Sequence, residues 1–164
     1  MSTVNDPRAM DYAIVVGVTA YPKLTLDGKR ADLAGPINDA EAIRAWLTKD
    51  NGGGVPKDNI EFVVRDTGTK DSVADPTRDA IVEAFARMWN RFFKDNGAPR
   101  VGVGRRLYVY VSGHGLASSL DHGVLLCSNS SNAVYATVGP HLAINPFRQS
   151  GFFKQFVIWF DGCM

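Results

Sequence analysis

Two short apolar segments, LYVYVSGHG at residues 107–115 and FVIWFDGC at residues 156–163, decide the fold of this chain. Both are rich in valine, isoleucine and aromatic residues, a composition that favours buried β-strands. The first segment runs into His114 and the second into Cys163. If the two strands are adjacent and end level, the imidazole and the thiol lie at one edge of a sheet, where open α/β sheets bind their ligands.

Strand and helix signals alternate along the chain. The predicted strands share a run of apolar residues and cover residues 12–18, 60–64, 107–112 and 156–160, with a further strand or edge piece at 124–127. Between the first two lies a long loop, residues 19–35, that carries the turn signal Asp27-Gly28. This alternation predicts an α/β fold with a mostly parallel sheet and helices on both of its faces.

The helices are predicted from their start signals and their apolar spacing. Pro36 suits the first turn of a helix that continues to about Thr48. A second helix is expected to have Asp75 as its N-cap and Pro76 as its first residue, and to end near Gly97. Residues 140–151 are ambiguous and are interpreted as a short helix.

Three blocks of the sequence resemble the caspase-like clan of cysteine peptidases, and within it the metacaspases and their bacterial relatives. Residues 13–18, AIVVGV, with residues 33–40, LAGPINDA, are similar to the first strand, loop and helix entry of that family. SGHG at 112–115 is similar to its histidine motif, and DGC at 161–163 to its nucleophile motif. His114 also precedes Cys163 by about 50 residues, the spacing found in caspases.

The resemblance implies the caspase-like fold and a role for each matching residue. His114 and Cys163 would form the catalytic dyad, and the N–H groups of Gly115 and Cys163 would form the oxyanion hole. Asp39 and Asp161 would line the pocket for the residue before the cleaved bond, where a carboxylate pair suits arginine or lysine. Alternatively, Asp39 only stabilises the start of its helix, where negative charge is favourable.

The resemblance also implies how the domain is divided. Residues 1–164 would be the N-terminal, large-subunit-like portion of one catalytic domain, and its relatives continue past the nucleophile with further strands. A C-terminal completion, as a further part of the same protein, is therefore expected outside this chain. An activating protease or another regulatory signal is a further expected partner.

Composition and charge argue against several other classes of protein. The chain has 164 residues and a net charge of +1, which predicts no strong attraction to nucleic acid or to an acidic membrane. It has no apolar run near the ~20 residues of a membrane helix and no apolar leader. Its two cysteines make no disulfide framework and no Cys-x-x-Cys motif, so a reducing, cytoplasmic location is expected. No cofactor or metal is expected. Many metacaspases are activated through an acidic calcium site, and calcium prefers six to eight oxygen ligands. Residues 116–139 contain one acidic residue, Asp121, so the sequence does not support calcium activation.

The remaining histidines and the second cysteine have ordinary structural interpretations. His122 is interpreted as a loop residue, His141 as a helix-start or surface residue, and Cys127 as a core residue.

The resulting hypothesis is a cysteine endopeptidase that cleaves proteins after arginine or lysine. Two alternatives remain open. One is a catalytically silent interaction module that keeps the fold, and the other is a related cysteine hydrolase with a different preference.

Overall fold

The computed structural model describes residues 6–64, 76–117 and 123–162. Its elements follow in the order β1 (Asp11–Gly17), β2 (Thr25–Leu26), β3 (Lys29–Arg30), α1 (Pro36–Thr48), β4 (Ile60–Val63), α2 (Arg78–Asn90), β5 (Gly104–Ser112), β6 (Gly115–Ala117), β7 (Gly123–Leu126), β8 (Thr137–Val138), α3 (Pro140–Ala143), α4 (Asn145–Ser150) and β9 (Phe153–Asp161). Single 3₁₀ turns precede β1 and β4.

A four-stranded sheet in the order β4-β1-β5-β9 forms the centre of the fold, and all of its neighbouring strands are parallel. Side chains alternate between the two faces of each strand. On one face, Ala13 and Val15 pack in a cluster with Ala40 and Leu47 of α1. The opposite face packs against α2. The predicted α/β class, with helices on both faces of a parallel sheet, is therefore confirmed.

The helix α2 begins later and ends earlier than its sequence signals predicted. Its N-cap is Thr77, whose hydroxyl accepts the N–H of Ala80 at 3.2 Å, so Pro76 precedes the helix. The predicted cap, Asp75, lies outside the described residues. At the other end the helix stops at Asn90, and the Phe92 carbonyl accepts the Arg100 N–H at 2.7 Å. This bond lies next to an isolated antiparallel bridge between Phe93 and Pro99, and this hairpin-like segment replaces the expected last helical turns.

The strand β9 is only half-buried, although its apolar run predicted a buried strand. Within the described ranges it pairs with β5 on one side, and no strand pairs with its other side. Ile158 is consequently 37% exposed. Within the described residues, 156–160 therefore form an edge strand, although their apolar composition is also that of a buried strand.

The predicted edge piece at 124–127 belongs to a second, three-stranded antiparallel sheet in the order β6-β7-β8. The ambiguous region at 140–151 forms two short helices, α3 and α4, joined at Ile144. Across the described residues, no helix combines the length and apolar character required to span a bilayer.

The loop between β1 and α1 folds back on itself. Asp27 and Gly28, with φ of 50° and 75°, form the tight turn of the short β2–β3 hairpin. Below the hairpin, the Ala31 N–H donates to the Leu24 carbonyl at 3.0 Å. The predicted turn at this dipeptide is confirmed, and the returning arm of the loop brings Ala31 back towards the end of β1.

Candidate active site

The strands that precede the predicted dyad end level with each other. Ser112, the last residue of β5, is paired with Asp161, the last residue of β9. One residue further on, the Gly113 N–H donates to the Asp161 carbonyl at 3.2 Å. His114 therefore leaves the sheet at the same edge as the end of β9, as the parallel register required.

Cys163 lies outside the described residues, so its pairing with His114 stays a prediction. The residue before it, Gly162, is described and contacts the turn that carries His114. A Cβ atom at Gly162 would lie 2.8 Å from the carbonyl oxygen of Gly113, closer than real Cβ atoms come to other atoms. Glycine at position 162 therefore permits a close approach between the two chain segments.

The imidazole of His114 is half-buried and is held by a backbone carbonyl. Its Nε2 atom lies 2.7 Å from the carbonyl oxygen of Ala31. A carbonyl oxygen can only accept a hydrogen bond, so Nε2 carries the proton and, in the neutral ring, Nδ1 carries the lone pair. A ring in this tautomer can take a proton through Nδ1, as a general base must.

The backbone of His114 is held as well. Its N–H donates to the Tyr21 hydroxyl at 2.9 Å. Gly115, the predicted oxyanion donor, follows directly as the first residue of β6 and is paired with Leu125 of β7. Its role in binding an oxyanion stays a prediction.

Asp39 and Asp161 lie together at two adjoining clefts. One cleft, of about 550 Å³, is bordered by α1 and by Tyr110 and Trp159 of the sheet. The other, of about 350 Å³, reaches Gly113 beside the histidine. Both aspartates are exposed, and both line each of the two clefts. Their role in binding a cationic group stays a prediction.

Asp161 is held in the cleft by two hydroxyl groups. The Tyr110 hydroxyl donates to its Oδ2 at 2.9 Å, and the Ser112 hydroxyl approaches the same oxygen at 3.5 Å. Burial, followed by the hydrogen bond to Asp161, raises the pKa of Tyr110 above its ordinary value. The phenol therefore stays protonated and remains a donor to the carboxylate.

Tyr110 and Ser112 are site residues that motif reasoning missed, although a signal was present in the sequence. Residues two apart on a strand project from the same face, and Ser112 is paired with Asp161. Tyr110 packs in the cluster on the α1 side of the sheet, and α1 carries Asp39. Once the register of β5 against β9 is assigned, both hydroxyl groups fall on the face that bears the aspartates.

The second cysteine and the other two histidines have structural roles or lie outside the described residues. Cys127 is fully buried, and burial raises the pKa of its thiol to about 12. His141 lies in the first turn of α3, as expected for a helix-start residue. His122 is outside the described residues. Among the residues that are described, no group of three or more histidine, cysteine or acidic side chains is arranged to hold a metal ion.

Comparison with known proteins shows a similarity to a bacterial protein. This protein of a Desulfuromonadales bacterium, named as a probable protease, is 26% identical over 164 aligned positions. The alignment covers 93% of this chain but 18% of the relative, so the chain spans less than a fifth of that protein's length. No protein-family model matches the chain.

Proposed function

We propose that this chain carries the catalytic residues of a caspase-like cysteine endopeptidase that cleaves after arginine or lysine. The observation that carries the proposal is the position of His114. Its Nε2 is occupied by Ala31, and its turn lies at the sheet edge beside a cleft lined by Asp39 and Asp161. The name of the bacterial relative supports the protease class. The nucleophile, Cys163, is assigned from its position after β9 and from the resemblance.

The proposed chemistry divides between the dyad and the backbone. The Cys163 thiolate adds to the scissile carbonyl carbon, and the negative charge that develops on the carbonyl oxygen is stabilised by the N–H groups of Gly115 and Cys163. His114 takes the thiol proton of Cys163 and gives it to the departing amine as the C–N bond breaks. It then takes a proton from the water that hydrolyses the thioester, and returns this proton to the Cys163 thiolate. The cycle ends with the free carboxylic product and the regenerated thiol.

The acidic cleft supports the proposed preference for a basic residue. A guanidinium or ammonium group placed between Asp39 and Asp161 would be paired with opposite charge, whereas a substrate carboxylate would be repelled. The Tyr110 hydroxyl occupies Oδ2 of Asp161 and so orients that carboxylate within the cleft. The alternative role of Asp39, as a charge at the start of α1, is compatible with this use.

We propose further that another strand covers the outer edge of β9. A strand with a half-buried apolar face and no described neighbour on one side is open to pairing. The C-terminal part of the same protein is the expected source of this strand.

The decisive experiment is covalent labelling with peptide acyloxymethyl ketones that end in arginine, aspartate or asparagine. The arginine reagent should attach to Cys163 as a thioether, located by peptide mass spectrometry, and His114→Ala should slow the attachment. Cys127 serves as the internal control because its thiol is buried. Attachment of the aspartate or asparagine reagent instead would indicate a related hydrolase, and no attachment to folded protein would indicate an interaction module.

A further inference from the structure

The loop between β1 and α1 contacts the predicted catalytic histidine at two separate points. Its first arm provides Tyr21, whose hydroxyl accepts the His114 backbone N–H at 2.9 Å. Its returning arm provides the Ala31 carbonyl, which lies 2.7 Å from the imidazole Nε2. The backbone and the ring of one residue are thus held by a single loop.

The Tyr21 hydroxyl is fixed from both sides. The side chain is fully buried, and the hydroxyl donates to the Leu126 carbonyl at 3.2 Å while it accepts from His114. Because its one proton goes to β7, its lone pair is directed to the His114 N–H. The hydroxyl therefore joins the histidine turn to the second sheet.

The ring of Tyr21 also limits where the imidazole can lie. The two ring centroids are 4.8 Å apart with an interplanar angle of 57°. One side of the imidazole therefore packs against the ring of Tyr21. Rotation of the His114 side chain away from Ala31 would lose both this contact and the hydrogen bond.

Asp32 connects the two arms of the loop. Its Oδ1 accepts the Tyr21 backbone N–H at 2.8 Å, and Asp32 is the residue directly after Ala31. This hydrogen bond holds the two arms of the loop together, which limits the distance between the Tyr21 hydroxyl and the Ala31 carbonyl. Burial raises the pKa of Tyr21 above its ordinary value, so the phenol stays protonated and does not itself exchange protons with a substrate.

We infer that Tyr21 is a positioning residue for His114, and that Asp32 supports it by holding the two arms of the loop together. Their combined effect is to keep the imidazole in the orientation with Nε2 protonated and Nδ1 available. The inference about catalysis rests on the proposed function, whereas the inference about the ring's orientation does not.

The test compares Tyr21→Phe with Tyr12→Phe in the intact protein. Tyr12 lies at the start of β1, where its ring packs edge-on against Phe92, and its replacement removes a hydroxyl far from the histidine. Two quantities are measured: the ¹⁵N chemical shifts of the His114 ring, and kcat and KM on an arginine peptide.

For Tyr21→Phe we expect the two ring nitrogens of His114 to shift towards averaged values, which reports loss of the single tautomer. We also expect kcat to fall about tenfold with KM within about twofold, because orientation of the proton carrier is lost while the acidic cleft is intact. Tyr12→Phe should match the wild type in both measurements. Unchanged ring shifts, or an unchanged kcat in an active enzyme, would overturn the inference even if the melting temperature fell.

Asp32→Ala provides a second test that leaves the buried hydroxyl in place. It should shift the same ring signals in the same direction. If Tyr21→Phe does not fold, this variant decides the test, and unchanged ring signals in Asp32→Ala would overturn the inference. If the wild type cleaves no peptide, the proposed function fails, while the ring spectra still decide whether Tyr21 positions His114.

Discussion

The Tyr110 hydroxyl donates a 2.9 Å hydrogen bond to Oδ2 of Asp161, which links β5 to β9 at the acidic cleft. Each residue comes from a different strand, and the bond is possible because Ser112 is paired with Asp161. A neutral donor to a carboxylate orients its oxygens without cancelling its charge. The orientation of the Asp161 carboxylate therefore depends on the register between the two strands.

Removing the Tyr110 hydroxyl should therefore weaken recognition of basic substrates. For Tyr110→Phe we expect kcat/KM on an arginine peptide to fall about fivefold, the order of one hydrogen bond. Because the pKa of Tyr110 is raised, the wild type should lose no arginine preference between about pH 7 and about pH 10, the ordinary phenol value. Kinetics across this range test both statements, and a preference that disappears well below the upper limit would contradict them.

Loss of the Asp161 charge should reduce discrimination between basic and acidic substrates. Asp39 and Asp161 are both exposed, so solvent screens their charges, and the wild type should prefer arginine to aspartate by about tenfold. Asp161→Asn should collapse this ratio while cleavage after a neutral residue changes little. Asp39→Asn is the matched comparison: an unchanged ratio there would assign Asp39 to the helix start alone.

Substitution of the dyad should remove activity and leave the fold intact. We expect Cys163→Ala to abolish peptide cleavage and His114→Ala to slow it at least ~100-fold, the lower range for loss of general acid–base catalysis. Each variant should lose only about 1 kcal/mol of unfolding free energy, a common value for a point substitution. Full activity in Cys163→Ala would eliminate the proposed mechanism, and denaturation curves provide the control for folding.

The two cysteines should differ in reactivity. Burial raises the pKa of Cys127 to about 12, so near neutral pH its thiol is protonated and a poor nucleophile. Iodoacetamide should therefore modify one cysteine of the native protein, Cys163, and both after denaturation. Mass spectrometry of digested protein identifies the site, and rapid labelling of Cys127 in the native state would show that the thiol is accessible.

Much of the fold follows from local patterns because the central strands are continuously apolar. The strands before His114 and Cys163 are predictable from their composition, and Pro36 predicts the start of α1. The exposure of β9 cannot be predicted from its composition, because a buried strand and an edge strand can have the same apolar run. Likewise, Pro76 and Thr77 both suit a helix start, and the bond from Ala80 to Thr77 decides between them.

The positions of the candidate residues were predictable where a motif lies at a strand end or, for Asp39, at a helix start. His114 and Asp161 follow directly from the ends of β5 and β9 in the sequence. Tyr21 and Ala31 do not, because they reach the histidine through a loop whose path depends on the β2–β3 hairpin and on Asp32. Contacts across more than eighty residues of sequence have no local pattern to predict them.

Gly113 has too little space for a side chain, which gives a direct test of the packing around His114. A Cβ atom there would lie 2.7 Å from the Tyr21 hydroxyl oxygen and 2.9 Å from a methyl carbon of Leu125. Gly113 also has a φ of 155°, which an alanine rarely adopts, so Gly113→Ala should destabilise the protein through both backbone strain and overpacking, by about 1–3 kcal/mol or more. Because the displaced groups hold His114, peptide cleavage should fall as well.

Gly97→Ala is the matched control for this substitution. Gly97 has a φ of 75°, and beyond its chain neighbours no atom would lie within 4 Å of a Cβ added there, so alanine meets backbone strain without a clash. It should cost about 1 kcal/mol and leave activity unchanged. The double variant Gly113→Ala with Tyr21→Phe removes the closest clashing atom, so its loss of unfolding free energy should be smaller than the sum of the two single losses. Chemical denaturation measures all four variants, and strict additivity would show that the Tyr21 hydroxyl is not what excludes a side chain at position 113.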